Sequence, residues 1–486
     1  MAAETSQRPP WRLWAAVLVL SLSSGFHFGF QLVITNPAQD AFMAFTRDSM
    51  SKGDDEIVPT EEEVSEMWSL TVSLMFFGSL VGAFAIQFLA DSLGRKRTNL
   101  LTTIGMAACC ALAIASYFMT SLYLLIVSRV IMGALMAVSV GVVPVYVSEI
   151  SPDSHRGVIS LSTALFIQAS IVVASIVAMP QLLGTVTSWW MLYAGELVLF
   201  IVIIIALHFL PESPSFLVSK NKAEEAANSL NFYHGLRGSD LSSKVAELQN
   251  QQADSPPTVG ILKVWTKKET IIPTLNGCVV MFGMIVSGVV VINAYAVKIL
   301  QDVGLSQTAA AWGNVGICTV MVLGVALSSL FIDRFGRRPL LLATMPIIIV
   351  LNVGVVVFLY LFDKHKEPIY GYILLAVICV YALVFCTGPC PLAFFISAEL
   401  CDQSFRGAAM TWAAVVLAGV RCIVLYLYPL LVSSISAPLA YFLLFIPPFL
   451  LSLVYLYFKL PETKPGSQVK AEDDKARDVV RKLLEE

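Results

Sequence analysis

Twelve apolar runs of about twenty residues dominate this chain, and each is long enough to cross the hydrocarbon core of a bilayer as an α-helix. They fall at 12–36, 66–90, 98–119, 121–147, 157–179 and 187–210, then 271–298, 307–332, 339–362, 369–398, 406–433 and 436–459. Inside a bilayer every backbone polar group needs a partner within the protein, so the expected class is an all-α membrane protein with twelve transmembrane helices. Composition agrees. Hydrophobic residues make up 57% and charged residues 13%, against about a quarter charged in a soluble domain, and the mean hydropathy is +0.77. That excludes secreted disulfide scaffolds, disordered chains, fibres and almost all soluble enzymes, and makes the lipid bilayer the first expected partner. A net charge of −3 and a pI near 6.0 leave no footprint for nucleic acid.

The nine cysteines lie in or beside apolar runs and none falls in a long polar loop, so no disulfide framework is expected. Cys386 and Cys390 stand one helical turn apart with no histidine near them. Metal sites need richer clusters, and no metal or cofactor is expected.

Three polar segments interrupt the pattern, at 37–65, 211–270 and 460–486. The first apolar run is too long for a cleaved signal peptide and has no small-x-small site after it. An even number of spans puts both termini on one side. Of 31 Lys and Arg, 24 fall on that side, five on the other and two (Arg129, Arg421) within spans. The positive-inside rule then places both termini in the cytoplasm, with the plasma membrane the expected location. Gly78-x-x-x-Gly82 adds one site for a close helix contact.

The chain also repeats itself. Leu89–Leu101 (LADSLGRKRTNLL) resembles Phe331–Leu342 (FIDRFGRRPLLL), Ser148–Gly157 resembles Ser397–Gly407, and the LPES ending at Ser213 resembles the LPET ending at Thr463. Asp91 lies 242 residues before Asp333, while Glu149 to Glu399, Arg156 to Arg406 and Glu212 to Glu462 are each 250 residues. Three motifs recurring in one order at nearly one offset mark a duplication. The reading is two parallel six-helix bundles, 1–210 and 271–459, joined by a helical linker at 211–270 and followed by a tail at 460–486. That is the plan of the major facilitator fold, in which two bundles rock about a midplane site. Each motif sits at a helix end on the terminal side. Gly94 and Gly336 permit tight turns. Arg95, Arg97, Arg337 and Arg338 are in reach of Glu149, Glu212, Glu399 and Glu462 for fork-like pairs, with Asp91, Arg156, Asp333 and Arg406 completing a charged gate that opens and closes as the bundles move.

Asp91–Arg97, Arg129, Pro144-x-Tyr146, Glu149, Arg156-Gly157, Pro211–Pro214, Gly336–Arg338, Gly388-Pro389, Glu399 and Pro461–Thr463 together resemble the sugar-porter family, and most of all the animal facilitative hexose transporters. The resemblance covers essentially the whole chain. It implies a small polar solute carried by alternating access and a short intracellular helical domain within 211–270. It also implies where sugar-binding amides should stand. Those positions read Ala164, Met284, Ile285, Val290, Met321, Cys386, Phe394 and Arg421, so nearly every amide is absent. A buried hydroxyl without a partner costs roughly 1–3 kcal/mol, so ordinary hexose binding would be weak.

The polar side chains left to line a cavity are His27 and Gln31 on span 1, Gln168 on span 5, Asn293 and Tyr295 on span 7, with Phe394 and Arg421. A charge in mid-span is costly and usually functional. Arg421 therefore reads as a counter-ion for an anionic or strongly hydrogen-bonding solute. Arg129 and Glu196 read as a buried pair, since a lone buried charge is expensive. Bacterial proton-coupled relatives have an Asp in span 1 where this chain has Gln31, which favours uniport. Three readings follow: a facilitative solute carrier, nominally for hexose; a carrier of an organic anion or other non-sugar metabolite using Arg421; and a non-transporting receptor or scaffold. No hydrolase, zinc-protease or phosphate-loop motif points to an enzyme.

Overall fold

The structure is a computed structural model that describes residues 10–51, 59–152, 155–253, 259–402 and 404–462, without the side chains of residues 156–158, 160, 161, 329, 333 and 395. Among the described residues, eleven helices are long and apolar enough to cross a membrane. A twelfth, Arg156–Val177, carries the shorter apolar stretch Ser162–Val177. In chain order the spans are Trp11–Val33, Glu61–Leu93, Arg95–Met119, Leu122–Ile150, Arg156–Val177 and Trp190–His208, then Lys268–Asp302, Gln307–Phe335, Arg337–His365, Pro368–Glu399, Arg406–Ser434 and Ala437–Lys459. They form the two six-helix bundles of the major facilitator fold.

Local chemistry sets the helix ends. Thr60 opens span 2 with a capping box: its backbone N–H donates to Glu63 Oε2 at 2.8 Å, and its hydroxyl accepts from the Glu63 N–H at 3.3 Å. Ser306 caps span 8 through the Ala309 N–H, and Pro368 opens span 10. Gly94 (φ +94°) and Gly336 (φ +91°) make the turns between spans 2 and 3 and between spans 8 and 9 in a conformation other residues rarely adopt.

Small residues set the packing. A Cβ on Gly78 would lie 1.9 Å from the Val130 carbonyl oxygen, and one on Gly82 would lie 2.2 Å from that of Ala134. Spans 2 and 4 therefore touch backbone to backbone, as the Gly-x-x-x-Gly spacing implied. The halves meet along spans 2 and 11, spans 5 and 8, and the ends of spans 1 and 7.

Two spans of the second half are broken. Span 7 divides into Lys268–Val286 and Val289–Asp302 at Ser287-Gly288, where Gly288 has φ +105°. The freed Ser287 carbonyl accepts from Asn352 Nδ2 at 2.8 Å and from the Tyr381 hydroxyl at 3.0 Å, which is how a membrane protein tolerates such a break. Span 10 divides at Gly388 into Pro368–Thr387 and Pro389–Glu399. Span 1 carries a single π turn, Leu22–Phe26, just before His27.

The polar segments hold helices too. Pro214–Ser219, Ala223–His234 and Gly238–Ala253 lie between the halves in sequence, on what is termed the lower face. The first two pack on the first half, where the Tyr233 hydroxyl donates to the Pro211 carbonyl at 2.8 Å. Residues 259–265 pack on the second half, with Trp412 Nε1 donating to the Ile261 carbonyl at 2.9 Å. On the upper face Gln39–Ser51 forms a helix inside the expected polar loop, its Phe42 stacked on Trp68 and its Phe45 edge-on to Trp189.

Candidate functional site

At mid-depth a cavity lies between the halves. Gln31, Leu32 and Thr35 (span 1), Val72, Met75 and Phe76 (span 2) and Arg129 (span 4) line it from the first half. Val290, Asn293 and Ala294 (span 7) with Arg421 and Leu425 (span 11) line it from the second. It holds roughly 300 Å³ of space between atoms, of which only enough for about one water molecule is open to a solvent-sized sphere. The cavity is thus narrow in this conformation.

Above the cavity the halves are latched. Asn36, fully buried just past span 1, donates from Nδ2 to the Asn293 carbonyl at 3.0 Å and to Asn314 Oδ1 at 3.1 Å. Its Oδ1 accepts from the Val297 N–H at 3.0 Å. Nearer the surface Gln307 donates to Asp40 at 3.0 Å and Gln181 to Thr308 at 2.9 Å. Asn36 was not among the residues expected from sequence. Its only signal there is an amide followed by Pro37 at the end of an apolar run.

Beside the cavity lies a buried charged cluster. Glu196 meets His27 Nδ1 at 2.9 Å, accepts from Gln31 Nε2 at 2.5 Å, and lies 3.6 Å from the Cys110 thiol. His27 stacks on Phe200 with centroids 3.5 Å apart. The expected direct pair of Arg129 with Glu196 does not form among the described residues. Gln31 stands between them: its amide oxygen accepts from Arg129 Nη1 at 3.3 Å while its NH₂ serves Glu196. One amide bridges the two groups, and His27 takes the other carboxylate oxygen.

Of the candidate cavity residues, Gln31, Asn293 and Arg421 line the chamber, and His27 sits one layer behind. Gln168 is buried with its Oε1 unpartnered and does not line it. Tyr295 donates to the Leu425 carbonyl at 3.1 Å, and Phe394 is 42% exposed; neither is part of the wall. Arg129, expected only as a structural partner, is part of it.

On the lower face, the described gate pairs lie within halves rather than across them. Arg95 donates from Nη2 to Glu149 at 2.9 Å and lies 3.7 Å from Asp91. Ser213 also donates to Glu149. In the second half Arg337 donates to Glu399 at 3.1 Å. Glu212 and Glu462 act differently from the expected guanidinium partners. Glu212 accepts from the backbone N–H groups of Arg95 (2.9 Å), Lys96 (2.8 Å) and Ser213 (2.9 Å), and Glu462 accepts from that of Arg337 (3.3 Å). Carboxylates there satisfy orphan donors at a helix N-terminus and meet the positive end of its dipole. Arg338 donates to the Tyr457 carbonyl and Arg406 to that of Cys401. Arg97 is exposed with no ion pair among the described residues. The side chains of Arg156 and Asp333 lie outside the described residues.

The family model for sugar (and other) transporters matches residues 16–472. The chain belongs to the sugar transporter family. It is 29% identical to facilitated glucose transporter member 9 of solute carrier family 2 from Pongo abelii, over 94% of this chain and 80% of that one. It is 27% identical to member 3 from Mus musculus, over 92% and 90%. Its structure is similar to that of the xylose transporter XylE from E. coli in a partially occluded inward-open conformation. That match has a TM-score of 0.73 at 16% identity and covers 93% of this chain and 100% of that one. Sugar transporters are transporters and not enzymes, and this member is an integral multi-pass membrane protein. The cavity wall carries two guanidinium groups, Arg129 and Arg421, and two side-chain amides, Gln31 and Asn293. Val290 stands in the wall at one expected amide position, while Met284, Ile285, Met321 and Cys386 are packed in the core.

Proposed function

We propose that this protein is a facilitative uniporter that moves a small polar solute, nominally a hexose, by alternating access in the plasma membrane, with both termini cytoplasmic. Residues 1–210 and 271–459 act as the two moving halves, 211–270 as the helical linker and 460–486 as a cytoplasmic tail. The observation that carries this reading is the mid-depth cavity walled by both halves. Gln31 and Arg129 face it from one half, Asn293 and Arg421 from the other, under the Asn36 latch. A chamber shared in this way opens to one face or the other when the halves rock. The charge-rich lower-face clusters keep each half rigid during that motion. Uniport is supported by Gln31 in the span 1 wall, where a carboxylate would be needed to carry a proton.

The test is counterflow in proteoliposomes, using the purified full chain and a labelled panel of hexoses, polyols and small organic anions. Exchange of at least one solute above protein-free liposomes is expected. A folded protein that exchanges none would refute the carrier reading and leave a receptor or scaffold.

A further inference from the structure

Among the described residues, the buried side chains of charged type are Arg129, Arg421 and Glu196, with His27 beside Glu196. Two guanidinium groups therefore share mid-membrane with one carboxylate, and that carboxylate is already engaged. Its oxygens meet His27 and Gln31 and lie near the Cys110 thiol. Because Gln31 turns its NH₂ to Glu196, only its neutral carbonyl oxygen faces Arg129. The other acceptor for Arg129 is the Tyr193 hydroxyl at 3.4 Å, and its Nε has none.

Arg421 is less well served. It is 5% exposed and makes no hydrogen bond or ion pair among the described residues. Its guanidinium lies 5.2 Å from the centroid of the Phe76 ring, and its Nε is unpartnered. A buried guanidinium held only by an aromatic face lacks the carboxylate partner such a group normally requires. Both arginines line the same chamber, one from each half.

Resting on the carrier reading above, we propose that the solute is a small organic anion whose carboxylate is held by Arg421 and drawn toward Arg129. A planar two-oxygen head group matches the guanidinium fork. The remaining wall is mostly apolar, from Leu32, Val72, Met75, Val290, Ala294 and Leu425, with Thr35 and Asn293 as polar exceptions. That wall suits a compact, lightly hydroxylated body better than a hydroxyl-rich sugar. Since the arginines belong to different halves, the bound anion would attract both and pull the halves together, so occlusion depends on the ligand's charge.

The test uses matched probes that differ only in a carboxylate replacing a CH₂OH group: L-lactate against propane-1,2-diol, and D-glucuronate against D-glucose. Counterflow is measured in proteoliposomes of the full chain, and thermal stabilisation in detergent. Expected is exchange and stabilisation by at least one anion, roughly tenfold or more above its alcohol partner, as one charge-assisted contact provides. Arg421→Gln should lose that anion exchange by a similar factor, while Arg421→Lys retains part of it. Elution of each variant as a single monodisperse peak shows that it is folded. Exchange of D-glucose without either anion would overturn the proposal and leave the carrier reading standing. So would anion exchange unchanged in folded Arg421→Gln. Absence of exchange and stabilisation by both anions overturns it as well, and failure of every solute in the wider panel removes the carrier reading with it.

Discussion

Replacing Asn36 with Ala should unlatch the upper face. The side chain is fully buried and closes four contacts between the halves: Nδ2 to the carbonyls of Asn293 (3.0 Å) and Ile292 (3.4 Å) and to Asn314 Oδ1 (3.1 Å), and Oδ1 from the Val297 N–H (3.0 Å). The bonds to Asn293 and Val297 have the best geometry and involve backbone groups. Losing each in the closed state costs about 1 kcal/mol net. When the upper face opens, water solvates the same backbone groups, so the substitution costs little there. The balance should move by about 2 kcal/mol, roughly a thirtyfold shift toward the upper-open state. Spin labels at Thr187 and Lys364, both exposed and in different halves, would report this by pulsed dipolar spectroscopy as a longer-distance population in Asn36→Ala. An unchanged distance distribution would refute the assignment of Asn36 as a latch.

Three further outcomes are expected. Gly94→Ala combines a positive φ with a Cβ placed 2.5 Å from Glu212 Oε2; it should cost about 2 kcal/mol or more and lower the thermal midpoint in detergent by several degrees. Glu212→Ala leaves three backbone donors at the starts of span 3 and the Pro214 helix without their acceptor. A loss of about 2–3 kcal/mol is expected, with Glu212→Gln recovering part of it in the same melting assay. Burial pushes the Cys401 thiol up to about 12; at pH 8 only about one molecule in ten thousand carries the thiolate, so maleimide should leave Cys401 unmodified on the folded protein.

What could be read from the residues alone follows the range of the interaction. Span positions come from runs of twenty apolar residues, and the duplicated halves from Glu149, Arg156 and Glu212 recurring 250 positions later. Gly94 and Gly336 announced their turns because a tight reversal is a local demand. The helix Gln39–Ser51 gave little signal: Ala41, Phe42 and Phe45 are its few buried apolar residues, and their partners Trp68 and Trp189 are distant in sequence. The expected Arg129–Glu196 pair missed the inserted Gln31, because residue types do not reveal that one amide reaches both charges. Glu212 and Glu462 were expected to take guanidinium partners, and they accept from backbone N–H groups instead. Their backbone partners became visible only once the turns had folded. Gln168, Tyr295 and Phe394 fell outside the wall because helix rotation, set by packing, decides which side chains face a chamber.

The break in span 7 has a consequence for exchangeable parts. Its exposed carbonyl is answered by Asn352 of span 9 and Tyr381 of span 10, and the Tyr441 hydroxyl of span 12 braces Asn352 at 2.9 Å while filling the space a Cβ on Gly288 would take. Every one of these groups belongs to the second half. The fracture is self-contained, so a chimera that grafts the first half of another family member onto this second half should inherit the bent helix intact. Recognition contributed by span 7 would then travel with the C-terminal module, whichever partner it is given.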